Sequence, residues 1–129
     1  MIAIDTNVIV RFLVNDDRRQ GLRARALIEV EDAFIPTSVL LESEWVLRSA
    51  FKLSRRDVFE KLGAFLSLPR VVVQDRAVAF AALDWANQGM DFADALHLAS
   101  SSACDAFVSF DRRLARSAGK VGALDVRAP

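Results

Sequence analysis

The sequence predicts an α/β fold, a mostly parallel sheet covered by helices on both faces. Two observations carry this expectation: short apolar, β-branched runs alternate with stretches of helical periodicity, and successive strands are separated by helices, the connection that parallel strands require. A third observation bears on function. Acids follow the first strand and the late Phe107 strand at the carboxyl edge, where sheets of this kind bind ligands.

The elements follow in order. Ile2-Ala3-Ile4 is a short buried-strand run, and Val8 to Val14 a turn or two of helix. Asn15-Asp16-Asp17 supplies a turn and N-cap for an amphipathic helix reaching about Val30. Ala33-Phe34-Ile35 is the next strand. Pro36 breaks it, and Thr37 or Ser38 is expected to cap a helix from Val39 to about Phe51. Ser54, with Asp57 three residues on, caps a helix to about Leu68. Val71-Val72-Val73 is the clearest strand. Asp75 opens a helix to about Asn87, Gly89 stops it, and Asp91 caps the next through Ser101. Phe107-Val108-Ser109 is a strand, Arg112 to Ser117 a short helix, and Leu124-Asp125-Val126 a final edge strand.

With 129 residues, 53% of them hydrophobic, and a mean hydropathy of +0.23, the chain has apolar material for one full core, and residues 1–129 are expected to form a single domain. Repeats, linkers and low-complexity stretches are missing. Met1 to Asp5 has no basic lead and reaches an acid too soon for a signal peptide, and no apolar run approaches the ~20 residues of a membrane span. A soluble, cytoplasmic protein without membrane contact is expected. The lone Cys104 has no disulfide partner, and with His97 as the sole histidine no zinc set can be assembled. Any metal must be held by oxygen, which favours Mg²⁺ or Mn²⁺.

Four carboxylates, Asp5, Glu42, Asp94 and Asp111, stand where apolar strands end or helices begin. A bare carboxylate beside a core is costly unless a cation joins it. Each also has a plainer reading. Asp5 could cap the turn at Thr6, Asp94 could be the N3 acid of a helix capped by Asp91, and Asp111 could cap the helix at Arg112. Glu42 shares a helical face with Val39, Val46 and Ser49, so a purely solvated role fits it poorly, whereas Glu44 has Arg48 at i+4 and reads as structural. The functional case rests on all four converging. His97 is expected to be partly buried and hydrogen-bonded, and Cys104 to be a small buried hydrophobe. Trp45, Phe51, Phe59, Phe65 and Trp85 fall at helical spacing as core or interface residues. Asn7 and Ser109, short and polar, are placed to orient Asp5 and Asp111.

Neutralising the four acids by metal would turn a formal charge of +0 into 17 basic side chains against 13 acidic. Most of the basic residues are arginine, whose fork matches phosphate. Arg112, Arg113 and Arg116 follow Asp111 closely and are the nearest candidates for phosphate contact.

The motifs Ile4-Asp5-Thr6-Asn7-Val8, Leu40-Leu41-Glu42 with Trp45-Val46-Leu47, Asp91-Phe92-Ala93-Asp94-Ala95-Leu96, and Val108-Ser109-Phe110-Asp111 resemble those of PIN-domain nucleases, and in size and order the VapC-type toxins of toxin–antitoxin pairs. The resemblance covers essentially the whole chain. It implies a PIN-like three-layer sandwich and a Mg²⁺-dependent endoribonuclease in which Asp5, Glu42, Asp94 and Asp111 are metal ligands. It also implies supporting roles for Asn7 and Ser109, a secondary ligand position at Asp91, a homodimer, and a cognate antitoxin as partner.

Phosphodiester hydrolysis needs a nucleophile and charge relief, both of which an acid-bound divalent ion supplies, so no Ser/His or Cys/His pair is required. A phosphotransferase of the haloacid dehalogenase type needs an acid at residue 7, which is Asn7. A receiver-type signalling module needs adjacent early acids and a late lysine, and Lys52, Lys61 and Lys120 lie elsewhere. The remaining alternatives are a housekeeping RNA-processing nuclease and a non-catalytic α/β binding domain whose acids tie the sheet edge to arginines such as Arg112 and Arg113.

Overall fold

Three apolar runs pair as the sequence expects. In the computed structural model, which describes residues 1–129, β1 (Ile2–Ala3), β2 (Ala33–Ile35) and β3 (Val71–Val73) form a parallel sheet in the order β1-β2-β3. Ile2 pairs with Ala33, and Ala33 with Val71. The seven helices are α1 (Thr6–Leu13), α2 (Arg18–Val30), α3 (Thr37–Ser49), α4 (Arg55–Leu66), α5 (Arg76–Asn87), α6 (Phe92–Ser100) and α7 (Arg112–Val121). A second parallel pair joins β4 (Phe107–Val108) to β5 (Val126–Arg127). The chain is therefore α/β with parallel strands. No helix is long and apolar enough to cross a membrane. Contacts group the residues into two compact units, Met1–Arg76 and Ala77–Pro129.

In the first unit, the helix starts bring the carboxyl edge of the sheet into use. Asp17 caps α2 by accepting from Gln20 N–H at 3.0 Å, and Ser54 caps α4 by accepting from Asp57 N–H at 3.1 Å. α3 begins two residues earlier than its sequence pattern suggested, with Pro36 rather than Thr37 or Ser38 at the N-cap. Gln74, just past β3, replaces the missing cap: its Oε1 accepts the Thr37 N–H at 3.0 Å. α1 and α2 approach closely at Gly21, where a Cβ would stand 3.1 Å from the carbonyl oxygen of Arg11. Ile9, Val10, Ile35, Leu40, Leu47, Leu62, Phe65 and Leu66 are all essentially inaccessible, and Phe12 meets Phe65 edge-on with ring centroids 5.1 Å apart.

In the second unit, Gly89 ends the α5 region with φ +110, a conformation that suits glycine, and Asp91 caps α6. Met90, Phe92, Ala95, Leu98, Leu114 and Ala118 are buried. α7 runs a turn further than expected, to Val121, and stops at Gly122 in the left-handed region (φ 70), whose N–H returns to Ala118 O. The last strand is shifted to Val126–Arg127. Two side chains differ from expectation: Cys104 and His97 are exposed, with His97 stacked on Phe107 at 6.4 Å. Trp45 is also largely exposed.

Candidate active site

The two units each carry part of the predicted acid set. In the first, Asp5 follows β1 and occupies the N-cap of α1 in extended backbone geometry, yet its side chain makes no capping bond. The capping role open to Asp5 is thus not used, and its exposed carboxylate stays free for a cation. The next residue, Thr6, is buried, and its hydroxyl donates to Glu42 Oε1 in the second turn of α3. Glu42 itself is exposed, so this bond, not burial, sets its rotamer. Thr6 contacts a candidate ligand and is a residue the sequence did not single out. Its signal was a hydroxyl directly after a strand-end acid, but its partner lies 36 residues away.

Glu44, two residues on, has a different job. It is buried, and Arg48 donates through Nε to its Oε1 at 2.9 Å, the i,i+4 pair expected from sequence. Asn7 is exposed on α1 and lines an apolar cavity of about 560 Å³ between α1 and α2, together with Val8, Arg11, Arg23, Leu27 and Val30. None of the four candidate acids lines that cavity.

In the second unit, the acids sense one another. Burial pushes the Asp94 carboxyl above its usual pKa, the negative charges of Asp91 and then Asp111 push the same way, and His97 opposes them. Asp91 caps α6, its Oδ1 accepting the Asp94 N–H at 3.0 Å. Asp94 is therefore the N3 acid of a capped helix and also part of a like-charge cluster. Asp111 shows the same double use: Oδ1 accepts the N–H of Arg113 at 2.8 Å and of Leu114 at 3.2 Å, which leaves Oδ2 without a hydrogen bond. Ser109 steadies it, with Oγ accepting the Asp111 N–H at 3.0 Å. Arg112, Arg113 and Arg116 are exposed on α7 and join no ion pair.

No group of three or more His, Cys, Asp or Glu side chains is gathered closely enough to hold a metal ion. The donor chemistry nevertheless suits one. The available ligands are hard carboxylate oxygens, those of Asp5 and Asp111 Oδ2 are unengaged, and a cation near Asp94 would offset both the burial and the neighbouring charges that raise its pKa. Asp5 and Glu42 in the first unit, and Asp94, Asp111 and Asp91 in the second, could serve as ligands.

Comparison with known proteins adds one finding. The family model described as PIN domain matches residues 2–120 of the chain. No curated protein matches it.

Proposed function

Because the chain belongs to the PIN domain family, whose domains are generally nucleases, we propose that it is a Mg²⁺-dependent endoribonuclease and the toxin of a toxin–antitoxin pair. The observation that carries the reading is the setting of Asp94, whose pKa is raised by burial and by the charges of Asp91 and Asp111 against the opposing His97, while none of the three acids pairs with Lys or Arg. Structural acids are normally paired with Lys or Arg, as Glu44 is with Arg48.

Asp5, Glu42, Asp94 and Asp111 are the proposed ligands, with Asp91 in reserve and Mn²⁺ able to replace Mg²⁺. The ion would supply a Lewis acid for the scissile phosphate and the attacking water. Everything else falls to side chains. Thr6 holds Glu42 in one rotamer, Ser109 and the first N–H groups of α7 hold Asp111, and Asn7, two residues after Asp5, orients it. Arg112, Arg113 and Arg116 hold phosphates that flank the cut. Residues 1–129 act as one domain in a cytoplasmic homodimer, and an antitoxin silences it.

The test is cleavage of total RNA by purified protein with Mg²⁺ and with a chelator, beside growth after brief induction in cells. Mg²⁺-dependent cleavage with growth arrest supports the whole reading. Cleavage without arrest leaves a housekeeping nuclease. No cleavage with any divalent ion leaves a binding domain.

A further inference from the structure

Phe107 and Phe110 lie three residues apart and meet opposite fates. Phe107 is half-buried and stacked on His97, with an interplanar angle of 15°. Phe110 is 87% exposed and has no ring partner, although a phenylalanine in water forfeits the burial that ordinarily justifies it. It is also firmly placed. The Ser109 N–H extends the β4–β5 ladder to Arg127 O at 3.0 Å on one side of it, and Asp111 anchors α7 on the other.

The segment that follows Asp111 is rich in cations. Arg112, Arg116 and Lys120 recur at i, i+4 and i+8, so they form one row about 12 Å long on α7, and all three are exposed. Arg127, the register partner of Val108, shares its sheet face, and both are exposed. From residue 111 to residue 127 there are five cations and only two acids. A protein-binding patch is usually depleted of charge at its centre, whereas a bare ring beside unpaired cations matches a polyanion that carries π faces.

We propose that Phe110 is a stacking platform for one unpaired base of the RNA, with neighbouring phosphates held by the α7 cation row and Arg127. The substrate is then single-stranded next to Asp111, because a base inside a duplex would first have to be unpaired and unstacked, at a cost in free energy, to meet the ring. This deepens the nuclease reading above and rests on it.

The test is fluorescence anisotropy in a chelator, which prevents cleavage, with labelled oligo(A) RNA of about ten nucleotides and a blunt duplex of the same length. Phe110→Ala is expected to bind the single strand about tenfold more weakly, the size of one lost base stack, while Phe110→Trp binds as tightly as the native chain. Binding to the duplex is expected not to change. Because the ring is so exposed, Phe110→Ala should melt with the native protein. If the native chain binds and Phe110→Ala binds equally well, the platform is refuted while the nuclease reading stands. If the native chain neither binds nor cleaves RNA, both fall. If Phe110→Ala instead turns a dimer into a monomer by light scattering, the ring belongs to a subunit interface and the platform is again refuted.

Discussion

The Thr6 hydroxyl donates to Oε1 of Glu42, joining the residue after Asp5 to the second turn of α3. Thr6→Val keeps the shape and removes the donor. We expect it to cost about 1 kcal/mol in stability, a typical charged hydrogen bond discounted for the exposure of Glu42, and to slow RNA cleavage about tenfold. Thr6→Ser should restore both. Chemical melts and initial rates check this, and native rates for Thr6→Val would show that the contact does not orient Glu42.

Asp94 predicts a pH-dependent stability. Its raised pKa means that the folded state binds the proton more tightly than the unfolded chain does, so the ionised form opposes folding. That penalty is absent below the unfolded pKa of about 4, grows as pH rises through the folded value, and then stays constant. Asp94→Asn should therefore match the native stability near pH 3 and exceed it at pH 7 by up to about 1 kcal/mol, given how much of the group faces solvent. Its Mg²⁺-dependent cleavage should fall more than about a hundredfold. Urea melts at the two pH values decide the first point, and loss of stability at pH 7 would contradict the like-charge cluster.

Asp111 combines a helix cap with a candidate ligand, and two substitutions separate these roles. Asn caps as well as Asp, so Asp111→Asn should melt within about 0.5 kcal/mol of the native protein but lose cleavage. Asp111→Ala should lose cleavage and about 1 kcal/mol besides, by removing the acceptor for Arg113 and Leu114 N–H. Full activity in the Asn variant would leave Asp111 with capping alone.

Glu44 is the control. Glu44→Ala removes the ion pair with Arg48 and empties a buried position, which should cost roughly 1–3 kcal/mol without changing the rate per folded molecule. Active-site titration against total protein would expose any direct part in cleavage.

The arginines of α7 predict how RNA affinity varies with salt. Each phosphate contact contributes about −0.7 to the log–log slope for a single strand, so replacing Arg112 and Arg113 together by Gln should weaken binding and flatten the slope by up to about 1.4. Mg²⁺ affinity should hardly move. An unchanged slope would redirect attention to Arg11, Arg48 and Lys52.

The sequence by itself determined what depends on neighbours along the chain. The β-branched runs marked the strands of the first sheet, the Ser54, Asp91 and Asp111 caps marked helix starts, and Glu44 with Arg48 marked an ion pair, because period, capping and i,i+4 reach are local properties. The local position of each of the four acids, at a strand end or in the first turns of a helix, was legible for the same reason. What only the tertiary structure decided are the relations that cross the chain. Gln74 caps α3 from beyond β3, which no rule about Thr37 or Ser38 could anticipate, and Thr6 chooses Glu42 from 36 residues away. Exposure is collective in the same way: Phe107 and Phe110 are the same residue type in one short segment, and only packing against His97 leaves one ring occupied and the other facing water.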